Sequence, residues 1–323
     1  MKKEDLRIVF LGTPEFAVES FRAITDAGYN VVGCVTMPDK PAGRGHRMYQ
    51  SPVKEFALSR GIKVMQPVRL KDEEFVSELR ALEADLFIVI AFRMLPEIVW
   101  SMPRLGTFNL HASLLPRYRG AAPINRAVMN GDTETGVTTF FLKHEIDTGD
   151  IIDRERVEIR PEDNVGDVHD RLMHLGAGLT LRTLEAIVNG TLHTTPQSEL
   201  AGSETPTPAP KIFKEDCEIH WTEPAERIHN LVRGLSPYPG AWCPIYDGHT
   251  ELGQIKIFET APDPEHAPMK PGEIVVDGAG MWAGTSTCPL RILSIQMPGK
   301  KRMSTADFLR GSHLTAPSFT PVG

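Results

Sequence analysis

Between residues 7 and 188 short apolar runs alternate with amphipathic stretches, and this alternation restricts the fold more than any other feature of the chain. Residues 7–11 read as a buried strand. Gly12-Thr13-Pro14 turns the chain, and Pro14 suits the first turn of a helix reaching about Ala27. A second strand over 31–35 precedes a helix that Ser51-Pro52 starts and Gly61 ends. Residues 62–64 form a short strand, and 71–82 a helix with Phe75, Leu79 and Leu82 on one face. The most apolar run, 86–91, predicts a central strand covered on both faces. A strand over 107–110, a helix over 121–130, strands near 137–142 and 151–157, and a long helix over 165–188 complete the series. The pattern predicts an α/β fold with a Rossmann-like, doubly wound, mostly parallel sheet. Such sheets bind ligands beyond the carboxyl ends of their strands.

From Thr194 to Pro210 the composition shifts to Thr, Pro, Ser, Ala and Glu, which predicts an extended interdomain linker. Beyond it one helix near 223–233 precedes short strands near 241–246, 252–258, 273–277, 281–284 and 289–295, with Gly, Pro and Asp turns between them. That reads as a small C-terminal β-barrel (OB-like) domain. The expected organisation is a catalytic domain over 1–193, a linker over 194–210 and a barrel domain over 211–323. A length of 323 residues with 41% hydrophobic and 24% charged side chains supports two domains with real cores.

Charge and cysteine usage exclude several classes. A formal net charge of −7 argues against an electrostatic coat on nucleic acid and leaves room for local basic contacts. Cys34, Cys217, Cys243 and Cys288 are scattered without a CxxC, which argues against a disulfide framework or a thiolate zinc site. The first apolar stretch is too short for a signal peptide, and residues 86–92 are too few to span a bilayer, which needs about 20. The expectation is a cytoplasmic monomer.

Gly12-Thr13-Pro14 lacks the later glycines of a dinucleotide fingerprint, and Thr36-Met37-Pro38 stands where a ribose-binding acid would be. The chain has no P-loop and no GxSxG nucleophile elbow. His169 and His174 face apart on a helix and form no zinc motif.

The informative stretch runs from Phe108 to Gly120. Strand alternation puts Asn109 and His111 on one side of a strand at its carboxyl end. A carboxamide and an imidazole so placed can both donate to a developing oxyanion. Taken alone, the pair reads equally well as a capping Asn and a satisfied core His. Nothing local activates Ser113, so it reads as a turn residue. A second stretch, Glu145-Ile146-Asp147-Thr148-Gly149-Asp150, falls between two strands. A carboxylate there would orient an imidazole and favour its charged form, although alone the stretch reads as a β-turn.

Together, N-x-H, SLLPxxRG and DTGD resemble the formyltransferases that use 10-formyltetrahydrofolate. Further matches over 9–17, 38–45 with 51–54, 120–124 and 233–242 narrow the resemblance to the methionyl-tRNA branch of that family. The resemblance implies formyl transfer from 10-formyltetrahydrofolate, without a metal, to initiator methionyl-tRNA in translation initiation. It implies a catalytic trio of Asn109, His111 and Asp147. It implies a folate site at Phe92, Met94, Leu95, Ser113, Leu114, Leu115 and Pro116. One departure stands out: Arg93 occupies a position where the family commonly has a small residue.

The stretch 38–54 carries Lys40, Arg44, Arg47 and Lys54 among glycines and prolines, and is expected to be an irregular loop. The resemblance implies that it contacts the acceptor stem, with Arg44 foremost. Lys300, Lys301 and Arg302 are a second candidate phosphate contact. A formyltransferase acting on an amino-sugar nucleotide, on glycinamide ribonucleotide or on formyl-tetrahydrofolate itself would share the trio. A non-catalytic tRNA-binding protein would not need it.

Overall fold

The computed structural model describes residues 1–42, 47–201, 206–278, 280–311 and 314–321. They fold into two compact units. The first comprises Met1–Pro123, Thr135–Val157 and His169–Ala209, and the second Ile124–Glu134, Glu158–Val168 and Pro210–Gly323.

The first unit is built on a sheet of seven strands in the order Ile151–Glu158, Glu134–Phe141, Thr107–His111, Leu86–Ile90, Arg7–Gly12, Asn30–Val35 and Val64–Met65. From Thr107–His111 to Val64–Met65 the pairing is parallel, and Glu134–Phe141 joins antiparallel. The run Leu86–Ile90 is buried along its whole length beside Arg7–Gly12, as its unbroken hydrophobicity requires. The chain leaves Arg7–Gly12 in one direction through Asn30–Val35, then returns to its other side through Leu86–Ile90. At such a reversal a doubly wound sheet binds ligands outside the carboxyl ends of its strands, and Thr107–His111 ends beside that point.

Local signals set the helix ends. The Ser51 hydroxyl accepts from Lys54 N (3.1 Å), Pro52 stands in the first turn, and Gly61 takes a positive φ of 67°. Two stretches differ from expectation. Residues 38–54 are not wholly irregular: Lys40–Ala42 pairs antiparallel with Arg47–Tyr49 before the helix at Pro52. The described residues of the stretch 194–209 carry ordered structure within the first unit: Thr195 bridges Ile151, Gln197–Ala201 is helical, and Pro208–Ala209 pairs with Arg119–Gly120. Backbone pairing of a Pro/Thr-rich strand leaves no side-chain periodicity, so its composition mimics a linker.

The second unit is a nearly closed antiparallel barrel. Its strands run Ile274–Asp277, Gly280–Ala283, Leu290–Gln296, Thr250–Pro262, Ala241–Asp247 and Pro317–Ser318. The ends of that series meet through the Glu273–Ser318 bridge and the Phe319 N to Gly272 O bond (2.8 Å). Ile228 and Val232 of the helix Ala225–Gly234 pack into its core with Ile245, Ile257 and Ile292. Asp247 secures the closing strand: its Oδ1 accepts from Ala316 N (2.6 Å), Thr315 N (2.9 Å) and Thr315 Oγ1 (3.2 Å). These donors, Ala316 N–H first, hold the Asp247 carboxyl below the usual carboxylate range. A depressed folded-state pKa stabilises the fold fully above the unfolded value of about 3.9 and loses that contribution as pH falls through the folded value. Exchange protection of the Thr315 and Ala316 amides, corrected for intrinsic rates, is therefore expected to fall below about pH 4. Asp247→Ala should remove it already at neutral pH. Protection that is flat with pH, or unchanged in the variant, would detach Asp247 from closure.

Candidate active site

Asn109 and His111 both lie on the strand Thr107–His111, two residues apart and so on one face, with His111 closing its carboxyl end. The Asn109 carboxamide is half-buried and makes no hydrogen bond among the described residues. His111 is 7% exposed. Its Nε2–H donates to the carbonyl oxygen of Tyr118 at 2.8 Å, which places any remaining ring proton on Nδ1. Nδ1 stands 3.8 Å from Asp147 Oδ2. That distance lends the ring a negative charge without consuming its proton in a direct hydrogen bond. Both ring nitrogens thus face acceptor oxygens.

One turn serves both partners. Tyr118, at φ 60°, presents its carbonyl to His111, and two residues later Gly120 N donates to Asp147 Oδ2 (2.9 Å). Gly120 has φ 126°, and a Cβ there would lie 2.4 Å from Ala209 O, so only glycine fits. Asp147 itself is left-handed at φ 55°, a region Asp tolerates better than most residues. The Gln197 side chain donates to Asp147 O and Gly149 O, each at 2.8 Å. It accepts from Arg119 Nε (3.1 Å) and Nη2 (2.7 Å). Arg119 falls within the SLLPxxRG stretch, but Gln197 carries no motif signal, and nothing in the sequence links the two. The structure brings His111 and Asp147 together, with Asn109 two residues before His111 on the same strand face.

The expected folate residues divide. Phe92 and Leu95 pack with Val99, Trp100 and Leu142 beyond the strand Leu86–Ile90, while Met94 is 72% exposed. Leu114 is partly exposed. Ser113 is fully buried, and its hydroxyl donates to Arg117 O (2.7 Å), so it shapes the turn and offers no hydroxyl to a ligand. Leu115 and Pro116 are also buried, Leu115 against Phe140 and Ile151, so neither presents a side chain to a ligand. Arg93 turns its guanidinium away to the carbonyls of Pro67 and Val68, and burial lowers its pKa. The departure at Arg93 thus ties the segment 92–95 to the one before it.

Among the basic candidates, Arg44 lies outside the described residues and Arg47 is placed by its backbone alone. Lys40 is exposed. Lys54 pairs with Asp39, whose carboxyl Lys54 and Gln66 hold below the usual range. Lys300 and Lys301 are exposed. Arg302 instead donates to Ser294 Oγ (2.9 Å) and stacks on Phe258 at 4.6 Å, a structural placement its neighbours do not share. Burial pushes the Cys34 thiol up to about 12 and raises Cys217 and Cys243, which disfavours thiolate chemistry. No group of three or more His, Cys, Asp or Glu side chains converges among the described residues. No helix among them is long and apolar enough to cross a membrane.

A carboxamide, an imidazole and a carboxylate at the carboxyl edge of a parallel sheet are the parts of a group-transfer site built around a developing oxyanion. Residues 6–184 match the formyl transferase family, and residues 211–313 match the formyl transferase C-terminal domain. The chain is 57% identical over 316 residues to a methionyl-tRNA formyltransferase of Bacteroides fragilis, covering 98% of each. It is 47% identical over 322 residues to one from Porphyromonas gingivalis, covering 99% of each. The chain belongs to the formyl transferase family and is a formyl-transferring enzyme. Among solved structures, an N-formyltransferase from Helicobacter canadensis, crystallised with folinic acid and dTDP-3-aminofucose, has the same fold at TM-score 0.66 and 19% identity, covering 92% of this chain and 100% of that one. HypX from Aquifex aeolicus in complex with tetrahydrofolic acid matches at TM-score 0.63 and 19% identity over 94% of this chain. This chain spans only 47% of HypX.

Proposed function

We propose that the chain moves the formyl group of 10-formyltetrahydrofolate to the free amino group of initiator methionyl-tRNA. The reading is carried by the unpartnered Asn109 carboxamide standing beside the His111–Asp147 pair, in a chain whose high-identity relatives bear that activity as their name. The folate body suits the carboxyl edge of the sheet. Phe92 and the exposed Met94 supply apolar surface over the buried Leu95, and the half-buried Asn109 a free polar group. Leu114 is the member of the 113–116 turn with a side chain accessible to that body.

Attack of the amine on the formyl carbon puts negative charge on the formyl oxygen. Asn109 Nδ2–H and His111 Nδ1–H donate to that oxygen. Asp147 holds the imidazolium and accepts, through water, the proton that the amine loses. That proton goes to the folate nitrogen as it leaves, so the step balances without a covalent enzyme intermediate. Lys40, Lys300 and Lys301 contact tRNA phosphates.

The test follows labelled formyl from 10-formyltetrahydrofolate into methionyl-tRNA and, separately, into an amino-sugar nucleotide. Transfer to methionyl-tRNA is expected, and the log–log salt slope of tRNA binding should flatten by about one unit for each of Lys300→Ala and Lys301→Ala. Transfer to the sugar nucleotide alone would replace the acceptor assignment, and unaltered slopes would release the two lysines from it.

A further inference from the structure

Resting on that reading of Asp147, we infer that Gln197 is a positioning residue for formyl transfer, acting through the backbone of Asp147 and braced by Arg119. Gln197 is 3% exposed, and its carboxamide is fully engaged. Both amide hydrogens serve the Asp147 loop, at Asp147 O and Gly149 O, and the oxygen takes the fork of Arg119. Gln and Asn alone among side chains combine two coplanar donors with an acceptor, and Asn is a methylene shorter.

The placement of these bonds matters more than their number. Arg119 stands between Tyr118, whose carbonyl holds His111 Nε2, and Gly120, whose N–H holds Asp147 Oδ2. Asp147 O belongs to the residue whose carboxylate faces His111. Gln197 therefore joins the segment that orients the imidazole to the segment that carries the carboxylate. The gap it spans is the one that sets the 3.8 Å between Nδ1 and Oδ2. Asp147 also sits in a left-handed conformation, which persists only where surrounding bonds over-determine it. The neighbouring backbone reinforces the brace: Thr207 O accepts from Tyr118 N (2.6 Å), and Ala209 O from Ala122 N (3.2 Å). The stretch whose composition mimics a linker is thus bonded to both sides of the pair.

Two variants separate the roles. Gln197→Glu keeps the length and the Arg119 contact but removes both donors. Gln197→Met removes all polar contacts at similar volume. Single-turnover formyl transfer, KM for methionyl-tRNA and thermal midpoint are measured for each, alone and combined with Asp147→Asn, with rates referred to the folded fraction. Both single variants are expected to slow transfer by about 10- to 100-fold, as small misplacements of catalytic groups do, with KM within about twofold. In the Asp147→Asn background neither should slow transfer further, because residues acting as one unit are not additive. The same loss in both backgrounds would make Gln197 a general packing residue and overturn the inference. So would single variants within about twofold of the parent, or loss of folding in both variants. If only Gln197→Met fails to fold, Gln197→Glu decides. Parental transfer by Asp147→Asn alone would instead overturn the mechanism on which the inference rests.

Discussion

Asp147→Asn is expected to lower formyl transfer by about 10³-fold while leaving the fold intact, the scale on which oxyanion and orienting groups act. Asn tolerates the left-handed backbone at this position, so φ 55° adds no new strain. Its amide oxygen can still accept from Gly120 N, which anchors the carboxylate at 2.9 Å. The negative charge facing His111 Nδ1 at 3.8 Å is what disappears. In the proposed mechanism this removes the carboxylate charge beside the His111 donor to the formyl oxygen and weakens that donor. In the same mechanism the amine proton also loses its acceptor. Asn109→Ala makes a useful companion: it removes the other donor while leaving the His111–Asp147 pair untouched, and should cost about 10²–10³-fold. Stability of Asp147→Asn should stay within about 1 kcal/mol of the parent by chemical denaturation. Transfer within a few-fold of the parent at that stability would remove Asp147 from the chemistry.

How much of this could be read from the sequence depended on how far apart the interacting residues lie. Ser51 capping its helix and Gly61 ending one are local events, and the residues carry them openly. The burial of Leu86–Ile90 follows from its own composition. Asn109 and His111 were legible as a same-face pair because strand alternation is also local. Their link to Asp147 was legible only by resemblance, since no periodicity connects residues across that span. Gln197 escaped altogether. Its bonds to Asp147 and Arg119 cross sequence separations of 50 and 78 residues, and its surroundings read as linker. Ser113 shows the opposite limit: the residue type was compatible with ligand binding, but burial and the Arg117 carbonyl settle its hydroxyl within the turn. Arg93 likewise could be flagged as unusual, yet only the fold shows it directed to Pro67 and Val68.

Gly149→Ala should damage both stability and activity, more than any other single-methyl addition near the site. A Cβ at Gly149 would stand 1.5 Å from the carbonyl oxygen of Phe141 and 2.8 Å from its carbonyl carbon. Neither side can yield easily. Phe141 ends the strand Glu134–Phe141, where it pairs with Phe108, and its N–H donates to Asp150 O at 3.1 Å. Gly149 O is held by Gln197 at 2.8 Å. Ordinary contact begins near 3.4 Å, so the loop bearing Asp147 must shift by roughly 2 Å or the strand end must unpair. Either route costs about 3 kcal/mol, the upper range for overpacking. If the loop yields, Asp147 leaves its place beside His111, and transfer should fall by about 100-fold in the folded fraction. Gly178→Ala provides the contrast. Gly178 is exposed in the helix Val165–Asn189, and a Cβ there meets nothing within 4 Å. Replacing a mid-helix glycine of this kind should stabilise the protein by about 0.5–1 kcal/mol and leave transfer unchanged. Denaturant titration and single-turnover transfer on both variants read the two effects separately. Equal stability of Gly149→Ala and the parent would show that the DTGD loop yields freely, and a loop that yields freely could not hold the carboxylate at a fixed distance from the imidazole.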